Sequence, residues 1–378
     1  MAIPGTLANI MKTKILQTII FLYISSCISQ QITFNHLVDS SDAETKEVVK
    51  LFESYIASNP EVIGKSEYWN DEEQERYLNF DFLESEFNPS LYMGYPIHVL
   101  SISSINGIYE IKAQFSFCKD DNTPFVLAII NYFAKKEDGE FKLYNALKFN
   151  KQNWKCETNG IIDFYFPNYH KFDKEKAKKL NVFVKTICDN FDVEPKPFEY
   201  YLADTYDEIQ RLKGIDYYVG MGGESTPSGK ASENKVYCSG LGEYYPHEVF
   251  HVQIDDHYPN KHFWVSEGMA TFLGGSRGKS LEWHIIKTNE YLKRNPEINL
   301  NNLLELDNLD NITAYHYVLG GLIIEKIYEK GGWELIKKFM KSGKSDSDYY
   351  NAIEKYLGIH QTELNFYLRN ELESYRNK

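Results

Sequence analysis

A chain of 378 residues is long enough for two domains, and a hydrophobic fraction of 43% with an aromatic fraction of 15% argues against an intrinsically disordered protein. The formal net charge of −13 argues against nucleic acid and anionic membrane as main partners, because both require a basic surface. An acidic surface of this kind mainly favours solubility.

The N-terminal residues have the pattern of a secretory signal. Lys12 and Lys14 precede an apolar run over residues 15–28, which is shorter than the about 20 residues that a membrane-spanning helix needs. We therefore expect an exported protein (periplasmic, cell-surface or secreted) from which residues 1–29 are removed. The tetrapeptide ISSC, which ends at Cys27, also resembles a bacterial lipobox. In that alternative a lipid anchor on Cys27 is the protein's contact with the membrane.

Four cysteines follow the signal, at Cys118, Cys156, Cys188 and Cys238. In an exported protein four cysteines allow three pairings, and the sequence does not choose among them. Buried free thiols are the alternative. Because no C-x-x-C is present, a zinc site made of thiolates is not expected.

Residues 30–155 are predicted to form an accessory α+β domain. Residues 41–58 have the apolar spacing of an amphipathic helix, and Ser41 with Glu44 forms a capping box at its start. Four segments rich in β-branched and aromatic residues follow, with Asn-Gly and Asp-Gly pairs that indicate hairpin turns. These predicted strands are Ile97–Ile105, Ile108–Cys118, Phe125–Lys135 and Glu140–Phe149. One helix on an antiparallel sheet is an α+β arrangement, and we find no catalytic constellation in it.

Residues 156–378 are predicted to form the second domain. Short strands alternate with helices over residues 156–275, which predicts a mixed sheet packed by helices. Residues 276–378 have helical patterns broken by glycines, which predicts a helical bundle. The predicted strands are 161–166, 198–203, 216–219 and 235–239, and the predicted helices are 174–191, 206–212, 244–258, 279–294, 314–330, 332–341, 346–357 and 360–376.

The stretch YYPHEVFHVQID contains an H-E-x-x-H pattern. His247 and His251 are four residues apart and share a helix face, so both rings can reach one metal ion, while Glu248 can contact a water beside that ion. A buried helix rarely carries such groups unless they are paired or ligated. Asp255 continues the same row, but each four-residue step rises ~6 Å, so one ion cannot reach it as well. Asp255 is expected to be a solvated charge or else an acid that supports a ligand.

A catalytic zinc ion needs a third protein ligand and an open position for water. The candidate is Glu267, in the stretch WVSEGMATFLGG, where Ser266 is expected to cap a helix that ends at Gly274-Gly275. The alternative is that Glu267 only stabilises the first turn of that helix, where the macrodipole favours an acid.

HEVFH followed by WVSEGMATFLGG resembles the gluzincin metallopeptidases, and in particular their compact peptidase MA-like members. The later YVLGG stretch, which begins at Tyr317, is similar to a Y-x-x-G segment of that family. The resemblance covers about residues 160–375. It implies a gluzincin-like zinc peptidase domain behind the accessory α+β domain. The interval between His251 and Glu267 is shorter than in the best-known members.

The resemblance also implies roles for individual residues. His247, His251 and Glu267 would hold Zn²⁺, and Glu248 would be the general base. Tyr317 would stabilise the oxyanion.

The helix that begins near residue 314 offers two alternatives to Tyr317, namely Tyr315 and His316. Lys235–Ser239 is a candidate edge strand for binding an extended peptide. The loop Gly220–Gly223 with Glu224 is weakly similar to the strand that binds a substrate's amino terminus in aminopeptidase N-like enzymes, and a flexible turn is the alternative.

The chain is therefore predicted to be an exported zinc metallopeptidase that acts on a peptide or protein substrate. The alternative is a zinc-binding, non-proteolytic surface or periplasmic protein on a gluzincin-like scaffold. Glu248 favours the enzyme, because a degenerate site usually loses its general base first. The sequence does not decide between internal and terminal cleavage, and it does not indicate the oligomeric state.

Overall fold

A computed structural model describes residues 30–60, 65–76, 81, 86–223 and 226–375. The predicted signal with Cys27 and the loop residue Glu224 lie outside these ranges. Within them, none of the helices has the length and hydropathy of a membrane span.

The chain divides into two compact units, one formed by Met1–Asn150 with Gln210–Met221 and the other by Lys151–Ile209 with Gly222–Lys378. The predicted boundary lies at residue 155, with residues 210–221 in the C-terminal domain. The structure differs because a strand at Ile215–Tyr218 pairs with a strand of the first unit.

The first unit contains a six-stranded sheet and helices. The strands are β1 (Ile32–Phe34), β2 (Ile97–Ile105), β3 (Ile108–Cys118), β4 (Pro124–Glu137), β5 (Glu140–Tyr144) and, from later in the chain, β9 (Ile215–Tyr218); the helices are α1 (Ala43–Ala57), α2 (Asp71–Arg76) and α3 (Ala146–Asn150). The sheet order is β1-β2-β3-β4-β5, with β9 also paired to β4. The β1–β2 pair is parallel and the others are antiparallel, so the sheet is mixed rather than purely antiparallel.

The two predicted hairpin turns of the first unit are present, with positive φ angles at Asn106-Gly107 and Asp138-Gly139. Two details differ from prediction. The side chain that caps α1 is that of Asp42, which accepts a hydrogen bond from the backbone of Thr45, rather than a Ser41–Glu44 box. The last strand ends at Tyr144, because the chain turns into α3.

The second unit contains a five-stranded mixed sheet. Its strands are β6 (Lys155–Asn159), β7 (Ile162–Phe166), β8 (Phe198–Ala203), β10 (Ser228–Ser232) and β11 (Lys235–Ser239), in the order β10-β11-β8-β7-β6. The two central pairs are parallel and the two outer pairs are antiparallel. The prediction that Lys235–Ser239 is an edge strand is wrong, because β10 pairs with its outer side and is itself the edge.

Eight helices are described after residue 170: α4 (Lys174–Phe191), α5 (Tyr206–Leu212), α6 (Pro246–Ile254), α7 (Phe263–Gly274), α8 (Leu281–Arg294), α9 (Tyr315–Met340), α10 (Asp346–Leu357) and α11 (Leu364–Ser374). The predicted helices 314–330 and 332–341 form the single element α9, with non-helical backbone at Gly331 and Gly332 where the break was expected. An apolar core joins residues of α4, α6, α7, α9 and the sheet.

All four cysteines in the described part of the chain are free, so none of the three pairings is formed. Cys118 and Cys156 are exposed, whereas Cys188 and Cys238 are buried.

Candidate metal centre

The helix that carries the H-E-x-x-H pattern is α6. It begins at Pro246, a position at which the missing backbone N–H costs nothing, and it gives way after Ile254 to a short 3-10 turn over residues 255–257. Val249 and Phe250 are fully buried in the core, and each such side chain contributes about 1.5–3 kcal/mol by its burial. This burial holds the other face of α6, with both histidines, toward a cavity.

The helix that carries Glu267 is α7. It begins at Phe263, because His262 Nδ1 accepts a hydrogen bond from the backbone of Trp264 at 3.1 Å. The prediction that Ser266 caps this helix is therefore wrong, and Glu267 lies beyond the first turn. A capping role for Glu267 does not apply, since the helix has no acid in its first turn.

Helices α7 and α9 touch through two glycines. A Cβ added to Gly268 would lie 2.6 Å from the carbonyl carbon of Gly320, a distance that real Cβ atoms do not reach. Glu267 immediately precedes one glycine, and Tyr317 lies three residues before the other. This close contact between the two helices places the Glu267 carboxylate and the Tyr317 phenol beside the same cavity.

The three predicted ligands converge. His247, His251 and Glu267 each offer one ligand atom, and these atoms all lie within 4.8 Å of one another. Glu267 Oε2 is 3.2 Å from His247 Nε2, and Glu267 Oε1 is 3.7 Å from His251 Nε2. Both imidazoles therefore present Nε2 to the carboxylate.

The opposite nitrogen of each ring has an acceptor. His247 Nδ1 donates to the carbonyl oxygen of Gly275 at 2.7 Å, and His251 Nδ1 donates to Asp255 Oδ2 at 2.9 Å. A hydrogen held on Nδ1 leaves the Nε2 lone pair for a metal, and two imidazoles with one carboxylate are a donor set that suits zinc. The residues present therefore fit a zinc ion.

Asp255 supports a candidate ligand rather than standing as a solvated charge. In addition to His251, it contacts Lys261 Nζ at 3.0 Å and accepts a hydrogen bond from Ser266 Oγ at 3.1 Å. Ser266 is the neighbour of Glu267, so Asp255 also joins the end of α6 to the part of α7 that carries Glu267.

The electrostatics of these side chains match this geometry. Burial by itself would lower the pKa of His251, but hydrogen bonds to Asp255 and Glu267 outweigh it and raise the pKa to about 10. Burial would raise the pKa of the Glu267 carboxyl, but its hydrogen bonds to His247 and His251 hold that pKa well below its usual range. The His251 ring and the Glu267 carboxylate therefore stabilise each other's charged forms.

The cavity beside the three ligands has a volume of about 400 Å³. It is lined by Gly229, Lys230, Ala231, Glu233, His247, Glu248, His251, Val252, Asp255, Asp256, Glu267 and Tyr317. Glu248 is only 7% exposed, and its carboxylate makes no hydrogen bond or ion pair with any residue in the described ranges. A largely buried carboxylate without a protein partner, facing a cavity, is available to a water or a substrate.

The edge strand β10 lies directly against Glu248. A Cβ on Gly229 would come within 2.6 Å of Glu248 Cγ and 2.5 Å of Tyr245 Cε1. Only a glycine therefore lets the strand approach this carboxylate so closely. Gly229 was not predicted from the sequence. Its strand, SGKAS, lacks both the β-branched residues and the alternation of apolar and polar residues that indicate a strand.

Of the three candidate residues on α9, Tyr317 is the one that lines the cavity. Its ring centroid lies 5.6 Å from that of His247, and burial with the neighbouring Glu267 raises its pKa to about 12, so the phenol keeps its proton. Tyr315 is buried outside the cavity lining, and His316 packs on Phe263 with centroids 5.0 Å apart.

No family model matches the chain, and no curated protein matches it significantly. Solved structures give distant matches. An M1 zinc metallopeptidase from Deinococcus radiodurans aligns with 76% of this chain and 67% of its own, at 9% identity and a TM-score of 0.32. A two-domain M1 zinc metallopeptidase variant bound to L-arginine aligns with 74% of this chain at 9% identity and a TM-score of 0.33. The chain spans 63% of that protein, less than two thirds of its length.

An aminopeptidase N family protein from Idiomarina loihiensis aligns with 71% of this chain and 54% of its own, at 12% identity and a TM-score of 0.31. At these TM-scores the similarities do not establish membership of a family.

Proposed function

We propose that this chain is a zinc-dependent peptidase. One observation carries the proposal: His247, His251 and Glu267 converge on one point, and the carboxylate of Glu248, which has no partner among the described residues, faces the same cavity. A zinc ion held by two imidazoles and one carboxylate would keep a fourth coordination position open. This is the arrangement of a catalytic zinc site rather than a structural one.

A bound zinc ion would supply Lewis acidity, lowering the pKa of the attacking water and polarising the scissile carbonyl. Glu248 accepts a proton from that water as the water oxygen bonds to the carbonyl carbon. Tyr317 donates a hydrogen bond to the carbonyl oxygen while it carries negative charge. When the C–N bond breaks, Glu248 passes the proton to the amine nitrogen.

The substrate main chain would bind along β10. The outer side of β10 has no strand beside it in the described sheet, and Gly229, Lys230 and Ala231 of this strand line the cavity. An extended peptide can add to such an edge through backbone hydrogen bonds. This geometry would bring a scissile carbonyl past Glu248, which lies beneath Gly229.

We also propose that the protein is exported, on the basis of the signal pattern in residues 1–29. Export would give the peptidase extracytoplasmic peptides or proteins as substrates.

The test is hydrolysis of a peptide library by the zinc-loaded protein and by its Glu248→Gln variant. We expect cleavage by the first and a loss of about 10²–10⁴ in rate for the variant, with zinc content unchanged. Asp256→Asn is the matched control, because Asp256 also lines the cavity but pairs with Lys196 at 3.1 Å. Zinc binding without cleavage by any of the three proteins would instead support a non-proteolytic binding protein.

A further inference from the structure

A short turn follows α7 on the Tyr317 side of the candidate metal site. Ser276 and Lys279 exchange two backbone hydrogen bonds of 2.9 Å, with Arg277 and Gly278 between them at the tip. The residue that leads into the turn is Gly275, whose carbonyl oxygen accepts the hydrogen bond of His247. The turn is therefore directly connected to a candidate ligand.

Arg277 has a second connection to the site. Its backbone N–H donates to the hydroxyl of Tyr245 at 3.3 Å. The Tyr245 ring is stacked on that of His247, with centroids 5.6 Å apart and planes at 7°. The position of Arg277 is therefore tied to the metal site through Tyr245 as well as through Gly275.

The backbone conformation of the turn does not by itself favour an arginine at position 277. Arg277 and Gly278 have φ angles of 48° and 74°, and a two-residue turn with positive φ at both positions favours Asn-Gly or Asp-Gly. A long side chain rarely adopts the left-handed region. Residues other than glycine that are held in such backbone conformations are concentrated at functional sites.

The charge of Arg277 is not neutralised by a partner. Its guanidinium makes no ion pair or hydrogen bond within the part of the chain that the structure describes, although the residue is half-buried. Three lysines around the same site differ in this respect: Lys261 lies 3.0 Å from Asp255, Lys196 lies 3.1 Å from Asp256, and Lys235 lies 3.5 Å from Glu233.

The positive charge of Arg277 influences two neighbouring side chains of α9. Burial raises the pKa of Tyr317, and Arg277 opposes that shift. Burial lowers the pKa of His316, and Arg277 lowers it further. This influence agrees with the backbone connections that tie Arg277 to Tyr245 and, through Gly275, to His247.

We propose that Arg277 binds a carboxylate of the substrate, so that the site prefers peptides with an acidic side chain or a free C-terminus close to the scissile bond. This inference rests on the proposed peptidase function. The planar guanidinium can form two parallel hydrogen bonds to one carboxylate, which makes it a more selective partner than an ammonium group.

Binding of fluorescent tetrapeptides to the zinc-loaded Glu248→Gln protein tests the proposal without turnover. One peptide is neutral with an amidated C-terminus, the second has a free C-terminal carboxylate, and the third is amidated with one glutamate. We expect one carboxylate peptide to bind about tenfold more tightly than the neutral peptide, or better. The preferred peptide identifies the source of the carboxylate.

Adding Arg277→Asn to this protein should remove the preference. Asparagine suits the backbone of the turn, so the variant should fold. Lys279→Gln is the matched control, because it removes a neighbouring charge that already lies over the Trp283 ring, 5.4 Å from its centroid. The control should keep the preference.

The inference would be overturned if all three peptides bound equally or if none of them bound. It would also be overturned if the carboxylate preference persisted in the Arg277→Asn variant. Hydrolysis by the wild-type protein without a carboxylate preference would overturn the role of Arg277 and leave the peptidase proposal standing. A carboxylate preference that depends on Arg277, without hydrolysis of any peptide, would support Arg277 and reject the peptidase.

Discussion

Asp255 accepts a hydrogen bond from His251 at 2.9 Å, from a position four residues further along the chain. The carboxylate orients the ring, holds the hydrogen on Nδ1 and makes Nε2 a stronger donor to a metal. Replacing Asp255 by asparagine keeps the shape and removes the charge. We expect zinc affinity to fall about tenfold or more, measured by competition with a chelator.

Asp256→Asn is the control for this prediction, because the neighbouring carboxylate pairs with Lys196 at the surface instead of with a histidine. An Asp255→Asn protein that binds zinc as tightly as the Asp256→Asn protein would show that His251 does not depend on its carboxylate.

Zinc binding should release a proton from His251. In the metal-free protein the pKa of His251 is raised to about 10, so the ring is protonated at neutral pH, whereas a metal ligand must be unprotonated. Zinc affinity should therefore increase as pH rises from 6 toward 9. Calorimetric titration in buffers of different ionisation enthalpy should show release of about one proton per zinc at pH 7.5. Proton release that does not differ from zero would contradict the assigned protonation.

The same groups set a pH dependence for the stability of the metal-free protein. The pKa of His251 is raised above its ordinary 6.5, so its contribution is complete below that pH and is lost as pH rises toward 10. The pKa of Glu267 is lowered below its ordinary 4.5, so its contribution is present above that pH and is lost in acid. Both contributions are therefore complete between about pH 4.5 and pH 6.5.

Urea denaturation in the presence of a chelator can measure this effect. The difference in unfolding free energy between wild type and Glu267→Gln should be greatest near pH 5.5 and smaller at pH 9. A difference that grows toward pH 9 would contradict the assigned shifts.

Gly229→Ala should impair the general base without removing the metal. The added methyl group would meet Tyr245 Cε1 at 2.5 Å and Glu248 Cγ at 2.6 Å, so β10, the Tyr245 ring or the carboxylate must move. A displacement of about 1 Å at a catalytic group can cost roughly 10²-fold in rate. We expect peptide hydrolysis to fall at least tenfold with zinc content unchanged, whereas Ser232→Ala, at the other end of β10, should retain activity. Full activity in Gly229→Ala would mean that Glu248 does not depend on the close approach of β10.

Tyr317→Phe should lower kcat by about 10²–10³ with little change in zinc content, because the variant loses one donor to the developing oxyanion. The pKa of about 12 keeps the phenol protonated at neutral pH, so it is a donor there. Tyr315→Phe is the matched control, since this neighbouring phenol lies outside the cavity lining. Equal rates in the two variants would remove Tyr317 from the mechanism.

The parts of the fold that sequence reasoning located were those with a strong local pattern. The bounds of α4, β8 and β11 agree with prediction, because apolar periodicity and flanking turn residues determine them locally. The convergence of His247 and His251 follows from helix geometry alone. Glu267 could be predicted as the third ligand because it belongs to a second recognisable stretch, WVSEGMATFLGG.

The parts that were missed depend on contacts between distant segments. The strand β10 has a weak local pattern and is held by pairing with β11. The start of α7 is set by the His262 ring instead of the expected serine, because an imidazole nitrogen can also accept the backbone hydrogen bond. Arg277 does not belong to a recognisable sequence motif. Its placement depends on the hydrogen bond from its backbone N–H to the hydroxyl of Tyr245, thirty-two residues away.

We propose that His247, His251 and Glu267 together hold one zinc ion. Anomalous diffraction at the zinc edge from crystals grown with zinc tests it most directly. We expect one strong peak, about 2.0–2.2 Å from Nε2 of both histidines and from a Glu267 carboxylate oxygen, and loss of that peak in Glu267→Ala. No peak at this position, or a peak coordinated by other residues while these three keep their mutual hydrogen bonds, would contradict the claim.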